Sequence, residues 1–487
     1  MTINRRKFLM GASALASYPM LSQLAHSQNI GSSTKTIVHI FLEGGPDFRH
    51  LIAPEPSSDY GREFWKARAS IFEIDGSNLV SIQNTFDEHY DLINFDSMIF
   101  GLLKKASWLK SKILEGKVAI INNVVGSTSR DHPYSSLIWG SGDHGAQPQE
   151  LCRSGWGGRL ASYANKRIMS VTEQPLLFCN GPHPTNPLAH ANVNLVDVPN
   201  MENFSFTKKS DWLLTPAKLE PEHAVFRSLK NYYRLKRSQI LSGTTFASFV
   251  ETEEVIRSLG DQLENRLKNE INPAGGHSAS FEEDLHSYGV RRPRKFEDLL
   301  RGENKAFFES FAMQLLNTYY GIACQDILET NIISLMLEGF DTHADQRHDQ
   351  DGFEIRIEEL FGSNKGLDLL DSQLLLDYPI SRDNLIYVLG GEFGRQLKAN
   401  GASGTDHGHA NSILVVGEQV NGGIYGDLFP ESEISIMQDW NQHIEGKTSF
   451  EKIFATIADW ACPGAGTVVF PSHHLRQLEA DRVLTFL

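Results

Sequence analysis

The sequence predicts an α/β protein built on a doubly wound, mostly parallel sheet with a helical insertion. Short continuous apolar runs such as Ile37-Val38-His39-Ile40-Phe41-Leu42 are bounded by glycines and do not alternate with polar residues, the pattern of strands covered on both faces. Between them lie long stretches of three- and four-residue apolar spacing, which mark helices packed on a core. Several runs end in a carboxylate, an imidazole or both. In open α/β sheets the crevice beyond the strands' carboxyl ends is where ligands bind.

Residues 1–27 differ in character from the rest of the chain. Asn4-Arg5-Arg6-Lys7-Phe8-Leu9-Met10 sets paired arginines before a mildly apolar run, and Ala25-His26-Ser27 offers small residues for cleavage. This reads as a twin-arginine export signal, too short and interrupted for a membrane span. The expectation is a periplasmic or secreted protein that meets the twin-arginine export machinery and has no stable membrane anchor. Residues 28–36 read as a linker, and 37–487 as one α/β domain.

The first strand ends in Glu43-Gly44-Gly45-Pro46-Asp47, which sets Asp47 where a ligand or an acid belongs. A second, Val118 to Val124, leads through Gly126-Ser127-Thr128-Ser129-Arg130-Asp131-His132 into a helix predicted from near Pro133. A helix N-terminus favours anions, and Arg130 offers a fork of donors to phosphate or sulfate. The alternative is a polar N-cap with Asp131 and Arg130 paired at the surface. Gly155-Trp156-Gly157-Gly158-Arg159 reads as a tight loop. From about 220 to 325 the apolar stripes turn helical, Phe308, Phe311, Leu315, Tyr319 and Ile322 being the last of them, and this is the insertion. A third strand, Ile332 to Leu337, ends in Glu338-Gly339-Phe340-Asp341-Thr342-His343-Ala344-Asp345. Extended backbone there puts Asp341 and His343 on one side, a helix Asp341 and Asp345, and either suits a metal. The fourth strand, Leu385 to Leu389, runs into Gly391-Glu392-Phe393-Gly394-Arg395 and then Gly404-Thr405-Asp406-His407-Gly408-His409-Ala410-Asn411. A fifth, Ser412 to Val416, and an amphipathic helix through Phe450, Ile453, Phe454, Ile457 and Trp460 close the chain.

The chain has 487 residues and a net charge of −15. That length suits one large α/β domain, and the acidic balance argues against sequence-independent nucleic-acid binding, which needs a basic face. The four cysteines are widely separated without CxxC spacing, so a cysteine-based zinc site is not expected. An oxidising compartment allows a Cys152–Cys179 disulfide, the alternative being small buried thiols. Neither a GxGxxG, a Walker loop nor a GxSxG elbow competes for the chemistry.

Asp beside His at 406 and 407 offers a hard oxygen and an imidazole nitrogen, which suits Zn²⁺ or Mn²⁺; the alternative is a solvated turn. With Asp47, Asp131/His132 and Asp341/His343, four strand ends would converge on one edge and could hold two divalent ions.

The ordered set of motifs resembles family 1501 of the domains of unknown function. It comprises the export signal, GlyGlyProAsp after the first strand, ArgAspHis at 130–132, GlyTrpGlyGlyArg at 155–159, GlyPheAspThrHisAlaAsp at 339–345, GluPheGlyArg at 392–395 and GlyThrAspHisGly at 404–408. That family of exported bacterial proteins looks related to the alkaline phosphatase and sulfatase superfamily. The resemblance implies a sheet of that type and two divalent ions (Zn, Mn, Mg or Ca). Asp47, Asp406 and His407 would bind one, and Asp341 with His343 or Asp345 the other. Arg130 or Arg395 would neutralise the equatorial oxygens of a transferring group; the alternative for Arg395 is an ion pair with Glu392. This chain departs from the pattern at Asp131, where relatives tend to carry Ser, so Asp131 is either a nucleophile or a ligand. Ser129 and Thr128 are nearby substitutes, and His132 adjoins them as a further candidate catalytic group. No CxPSR run supports a formylglycine sulfatase, and the DxxxH spacing is missing at Asp341, where position 345 is Asp and the histidine lies at 343. The last metal-binding histidine is His409 or His443, with His473 and His474 as weaker choices, and Asp143-His144-Gly145 is a decoy. The implied activity is metal-dependent hydrolysis of phosphate or sulfate esters of a small molecule or glycan. The alternatives are a non-catalytic exported binding or assembly protein, and a carbohydrate-active enzyme using paired carboxylates.

Overall fold

The computed structural model describes residues 32–147, 153–183, 186–190, 195–197, 262, 305–470 and 484–487. The export signal and the insertion up to residue 304, apart from residue 262, lie outside them.

The main sheet contains nine strands. In chain order they are β1 (Thr36–Leu42), β2 (Val118–Val125), β3 (Arg167–Ser170), β4 (Leu195–Asp197), β5 (Thr330–Leu337), β6 (Leu385–Gly390), β7 (Asn411–Gly417), β8 (Gly423–Tyr425) and β9 (Thr448–Ser449). Their order across the sheet is β8-β2-β7-β6-β1-β5-β3-β4, with β9 also paired to β2. β1 lies at the centre, parallel to β5 and β6, and all seven of its residues are buried. The apolar runs thus form the strands expected of them, in a mixed α/β fold with a mostly parallel sheet.

Alternate residues of β1 feed two cores. Val38, Ile40 and Leu42 pack in a cluster with Leu315, Tyr319 and Leu370. Ile37 and Phe41 pack on the other side with Leu137, Trp156 and Phe454. The first cluster takes in α3 (Lys305–Ala323), α4 (Phe353–Phe361) and α5 (Gly366–Asp377); the second takes in α1 (His132–Ser141), α2 (Trp156–Tyr163) and α6 (Phe450–Ala461). Helices therefore cover both faces, as the period-two geometry of a buried strand requires.

Three features differ from the sequence reading. Gly155-Trp156-Gly157-Gly158-Arg159, read as a tight loop, is the N-cap and first turn of α2. β7 runs antiparallel to both β6 and β2. The loop 391–410 leaves β6 and re-enters the neighbouring position from the same edge, so no crossover helix intervenes. The stripe through Phe311, Leu315, Tyr319 and Ile322 belongs to α3, which packs against β5 as a layer of the fold; the insertion therefore ends before it. A small antiparallel sheet of Ile52–Pro54, Tyr90–Phe95 and Met98–Leu103 flanks the domain. Among the described residues no helix is long and apolar enough to cross a membrane.

Candidate metal centre

Because β1, β2, β5 and β6 run parallel, their carboxyl ends share one edge, and the loop that opens into β7 returns to it. Two glycines let these loops touch. Gly44 has φ +108°, and a Cβ there would fall 2.3 Å from Asp341 N; a Cβ at Gly404 would fall 2.4 Å from the His343 carbonyl carbon. Neither approach has room for a side chain.

Three imidazoles point their Nε2 atoms at one carboxylate. His407 Nε2 lies 3.0 Å from Asp341 Oδ1, His343 Nε2 lies 3.2 Å from the same oxygen, and His132 Nε2 is 3.5 Å from Asp341 Oδ2. His343 Nε2 and His407 Nε2 are 2.8 Å apart. One ligand atom from each of His132, Asp341 and His407 falls within 4.8 Å of the others.

The far side of each ring is anchored. His132 Nδ1 stands 2.8 Å from Glu392 Oε1, His343 Nδ1 2.9 Å from Asp406 Oδ1, and His407 Nδ1 2.8 Å from the carbonyl oxygen of Arg130. A carboxylate or carbonyl oxygen can only accept, so each Nδ1 donates; a ring that is neutral then turns a lone pair on Nε2 toward Asp341, and a ring that is protonated donates to it. Two such lone pairs cannot face one another at 2.8 Å without a cation between them, either a proton or a metal. Imidazoles held through the opposite nitrogen by an oxygen acceptor are the usual supports of a metal site. His132, Asp341 and His407 bring two nitrogens and a carboxylate oxygen within mutual reach, with His343 Nε2 beside His407, a donor set that suits Zn²⁺ or Mn²⁺.

The electrostatics agree. Burial works against ionisation of Asp341, but hydrogen bonds from Arg395 and His407 and the Arg395 charge outweigh it and bring its carboxyl down to about 2. Asp406 is also lowered: its partial burial is outweighed by hydrogen bonds from Asn400 and His343. The Glu392 hydrogen bond raises His132, whereas burial lowers His407. The Asp341 side chain is 44% exposed, so the centre is open to a ligand from solvent.

The other candidates have different partners. Asp47 is 2% exposed and ion-paired with Arg68. It also accepts from Gln346 Nε2 at 2.9 Å, so its charge is already neutralised and it stands outside the cluster. Asp406 backs His343 and does not converge with the three Nε2 atoms. Asp345 sits exposed in a left-handed turn at φ +43°. Arg395 is buried, and its guanidinium donates to the carbonyl oxygens of Gly44, Gly45, Thr405 and Phe340 and to Asp341 Oδ1. Its acidic partner is Asp341, not Glu392, and from its buried position it ties three loops together. Asp131 caps α1, accepting from Tyr134 N at 3.0 Å. Ser129 Oγ accepts from Asp131 N at 3.1 Å. Arg130 donates through Nη1 to Asn441 Oδ1 at 2.6 Å and to His407 O at 3.4 Å. Its Nε and Nη2 donate to none of the described residues. The rings of His409 and His443 pack against each other, tilted by 51° with centroids 3.9 Å apart. Asp143 pairs with Arg153, and His144 Nε2 lies 2.9 Å from Ser449 Oγ. Cys152 lies outside the described residues, and Cys179 is a free buried thiol.

Sequence reasoning missed two acids. Glu392 takes both His132 Nδ1 and Gly44 N, the latter at 3.0 Å, a role written only in its place just beyond β6, after Gly391. Glu43 is exposed, yet partial burial and the nearby Glu338, Glu392 and Asp341 raise its carboxyl, opposed by His132. Its signal is its place as the first residue beyond β1, four positions ahead of Asp47.

None of the curated proteins compared with this chain matches it significantly. Residues 328–457, the stretch from just before β5 into α6 that carries Asp341, His343, Glu392, Asp406 and His407, match the model of the family described as a protein of unknown function (DUF1501).

Proposed function

We propose that the protein is an exported hydrolase of phosphate or sulfate esters that depends on a divalent cation held by His132, His343, His407 and Asp341. The convergence of three anchored Nε2 atoms on Asp341 carries this reading. When bound, such a cation polarises the ester and lowers the pKa of a water, supplying a nucleophile at neutral pH.

The chain's own groups do the rest. Glu392 and Asp406 hold His132 and His343 with their lone pairs aimed inward, so that little reorganisation remains when the ligand arrives. Arg395 neutralises Asp341 from behind and fixes the loops on which the four ligands ride. Arg130, beside His407, has Nε and Nη2 to offer the equatorial oxygens of the anion. Glu43, raised by burial and by neighbouring acids, is placed to give a proton to the leaving oxygen. A single ion and a water nucleophile are the version these contacts support best, because Asp47 is committed to Arg68 and Asp131 to its helix cap.

That cap favours a second reading, a non-catalytic exported binding protein. Ser127, Ser129 and Asp131 all accept from backbone N–H groups of local turns, which leaves the exposed Thr128 as the hydroxyl of that loop outside such turns. Elemental analysis of the purified mature protein, with aryl phosphate and aryl sulfate turnover, decides between the two. The hydrolase reading expects stoichiometric metal and turnover of one ester lost on Asp341→Asn. Stoichiometric metal without turnover selects the binding protein, and sub-stoichiometric metal with no turnover refutes the cation-dependent reading altogether.

A further inference from the structure

A cavity of about 170 Å³ lies between α1, the strand β1 and the turn at Leu176–Phe178, lined by His39, Phe41, Pro133, Leu137, Trp139 and Phe178 among others. Its one titratable wall is uncharged: burial pushes His39 down to about 3. His39 Nε2 accepts from Trp139 Nε1 at 3.2 Å, and the ring stacks on Phe178 at 3.9 Å. The lining is therefore apolar and largely aromatic. A cavity of about 150 Å³ with such walls stays dry and takes up benzene, so this one has the size of a single aromatic ring.

Its position links it to the cation centre through two elements. Pro133, in its wall, directly follows His132 on α1. On β1, His39 and Phe41 face the cavity, and by strand alternation Glu43 is the next residue on that side. Glu43 feels the charges of His132 and Asp341. The cavity thus lies alongside the last residues of β1 and the first turn of α1, with the half-buried Ser136 in its lining.

From this the geometry points to an aryl site: the cavity binds the monocyclic aromatic group of the ester, directing its phenolic oxygen toward the cation centre beside His132. This rests on the hydrolase reading for the word ester, but not for the ring. In the step, the P–O or S–O bond to the phenolic oxygen breaks while water oxygen bonds to phosphorus or sulfur. The phenolic oxygen takes up one proton as it leaves and the attacking water gives one to solvent, so the protons balance.

Two measurements on the intact protein test it. Ser136→Phe and the milder Ser136→Leu fill the cavity from a half-exposed helical position that makes no hydrogen bond to the described residues. Phenol should raise the Tm of the parent protein and not of either variant, while zinc content and unliganded Tm stay unchanged. The ratio of kcat/KM for phenyl over methyl phosphate, or phenyl over methyl sulfate, should fall at least ~10-fold in the variants. No phenol stabilisation of the parent, or equal stabilisation of both variants, overturns the aryl site. Phenol binding lost with the ratio unchanged overturns its assignment to the leaving group. If phenol binding is lost in the variants but no ester is turned over by any protein, the aryl site stands and the hydrolase reading falls.

Discussion

Removing the carboxylate of Asp406 should weaken the cation centre without touching a ligand. Asp406 Oδ1 accepts from His343 Nδ1 at 2.9 Å and from Asn400 Nδ2 at 2.9 Å, so one oxygen fixes both a ligand ring and the loop at residue 400. In Asp406→Asn the amide oxygen can still accept from both, and only the charge is lost. A charge-assisted bond is about twice as strong as a neutral one, which amounts to ~1 kcal/mol, or about 5-fold in affinity. Asp406→Ala frees the ring to rotate and to change tautomer, and removing such a support costs roughly 10- to 100-fold in metal affinity. Competition against a chelating indicator, with Zn²⁺ or Mn²⁺, reads both values. The expected order is parent tighter than Asn tighter than Ala, with Asp341→Asn weakest. If Asp406→Ala binds as tightly as the parent, the anchoring argument is wrong; if it binds as weakly as Asp341→Asn, Asp406 is itself a ligand.

The same contacts set other outcomes. Arg395→Lys leaves several buried carbonyl oxygens and Asp341 without the guanidinium fork, so stability measured by denaturant should drop by about 3–5 kcal/mol; a loss below about 1 kcal/mol would show that the loops hold without it. Glu359 is buried 3.5 Å from Arg356, and burial pushes its carboxyl up to about 8. A folded value above the unfolded one means the native state favours the proton, so its contribution is fully present below about 4.5 and fades as pH rises to about 8, by at most roughly 1.4 kcal/mol per pH unit. Glu359→Gln should flatten that decline in a pH series of unfolding curves, and an unchanged slope contradicts the assignment. Arg5→Lys with Arg6→Lys should retain the protein in the cytoplasm on fractionation, whereas undiminished export would rule out the twin-arginine signal.

How legible each feature is in the sequence depends on what fixes it. β1, β2, β5 and β6 can be read because strands covered on both faces must be apolar at every position, and glycines end them. The direction of β7 cannot, because antiparallel and parallel partners bury the same side chains, and only the loop 391–410 decides. β3, β4, β8 and β9 span two to four residues each, too few to show a period. At the site, Asp341 and His343 do meet, His343 Nε2 lying 3.2 Å from Asp341 Oδ1, but through turns at Phe340–His343 and not through extended backbone. The pairing of Asp with His at 406 and 407 locates the loop but not the roles, for residue type alone cannot tell a ligand from the group that orients one. His407 turns toward Asp341, while Asp406 turns to His343 of the neighbouring loop. Asp47 misleads for a long-range reason: its neutralising partner Arg68 comes 21 residues later, and no local pattern announces it.

One cation held by His132, His343, His407 and Asp341 is the centre of the proposed chemistry. Crystals of the zinc-loaded protein, measured on both sides of the zinc absorption edge, test it most directly. The prediction is a single anomalous peak about 2.0–2.1 Å from the three Nε2 atoms and about 2.0–2.2 Å from an Asp341 oxygen. A peak at Asp47 or between His409 and His443, or none in zinc-loaded protein, would contradict it.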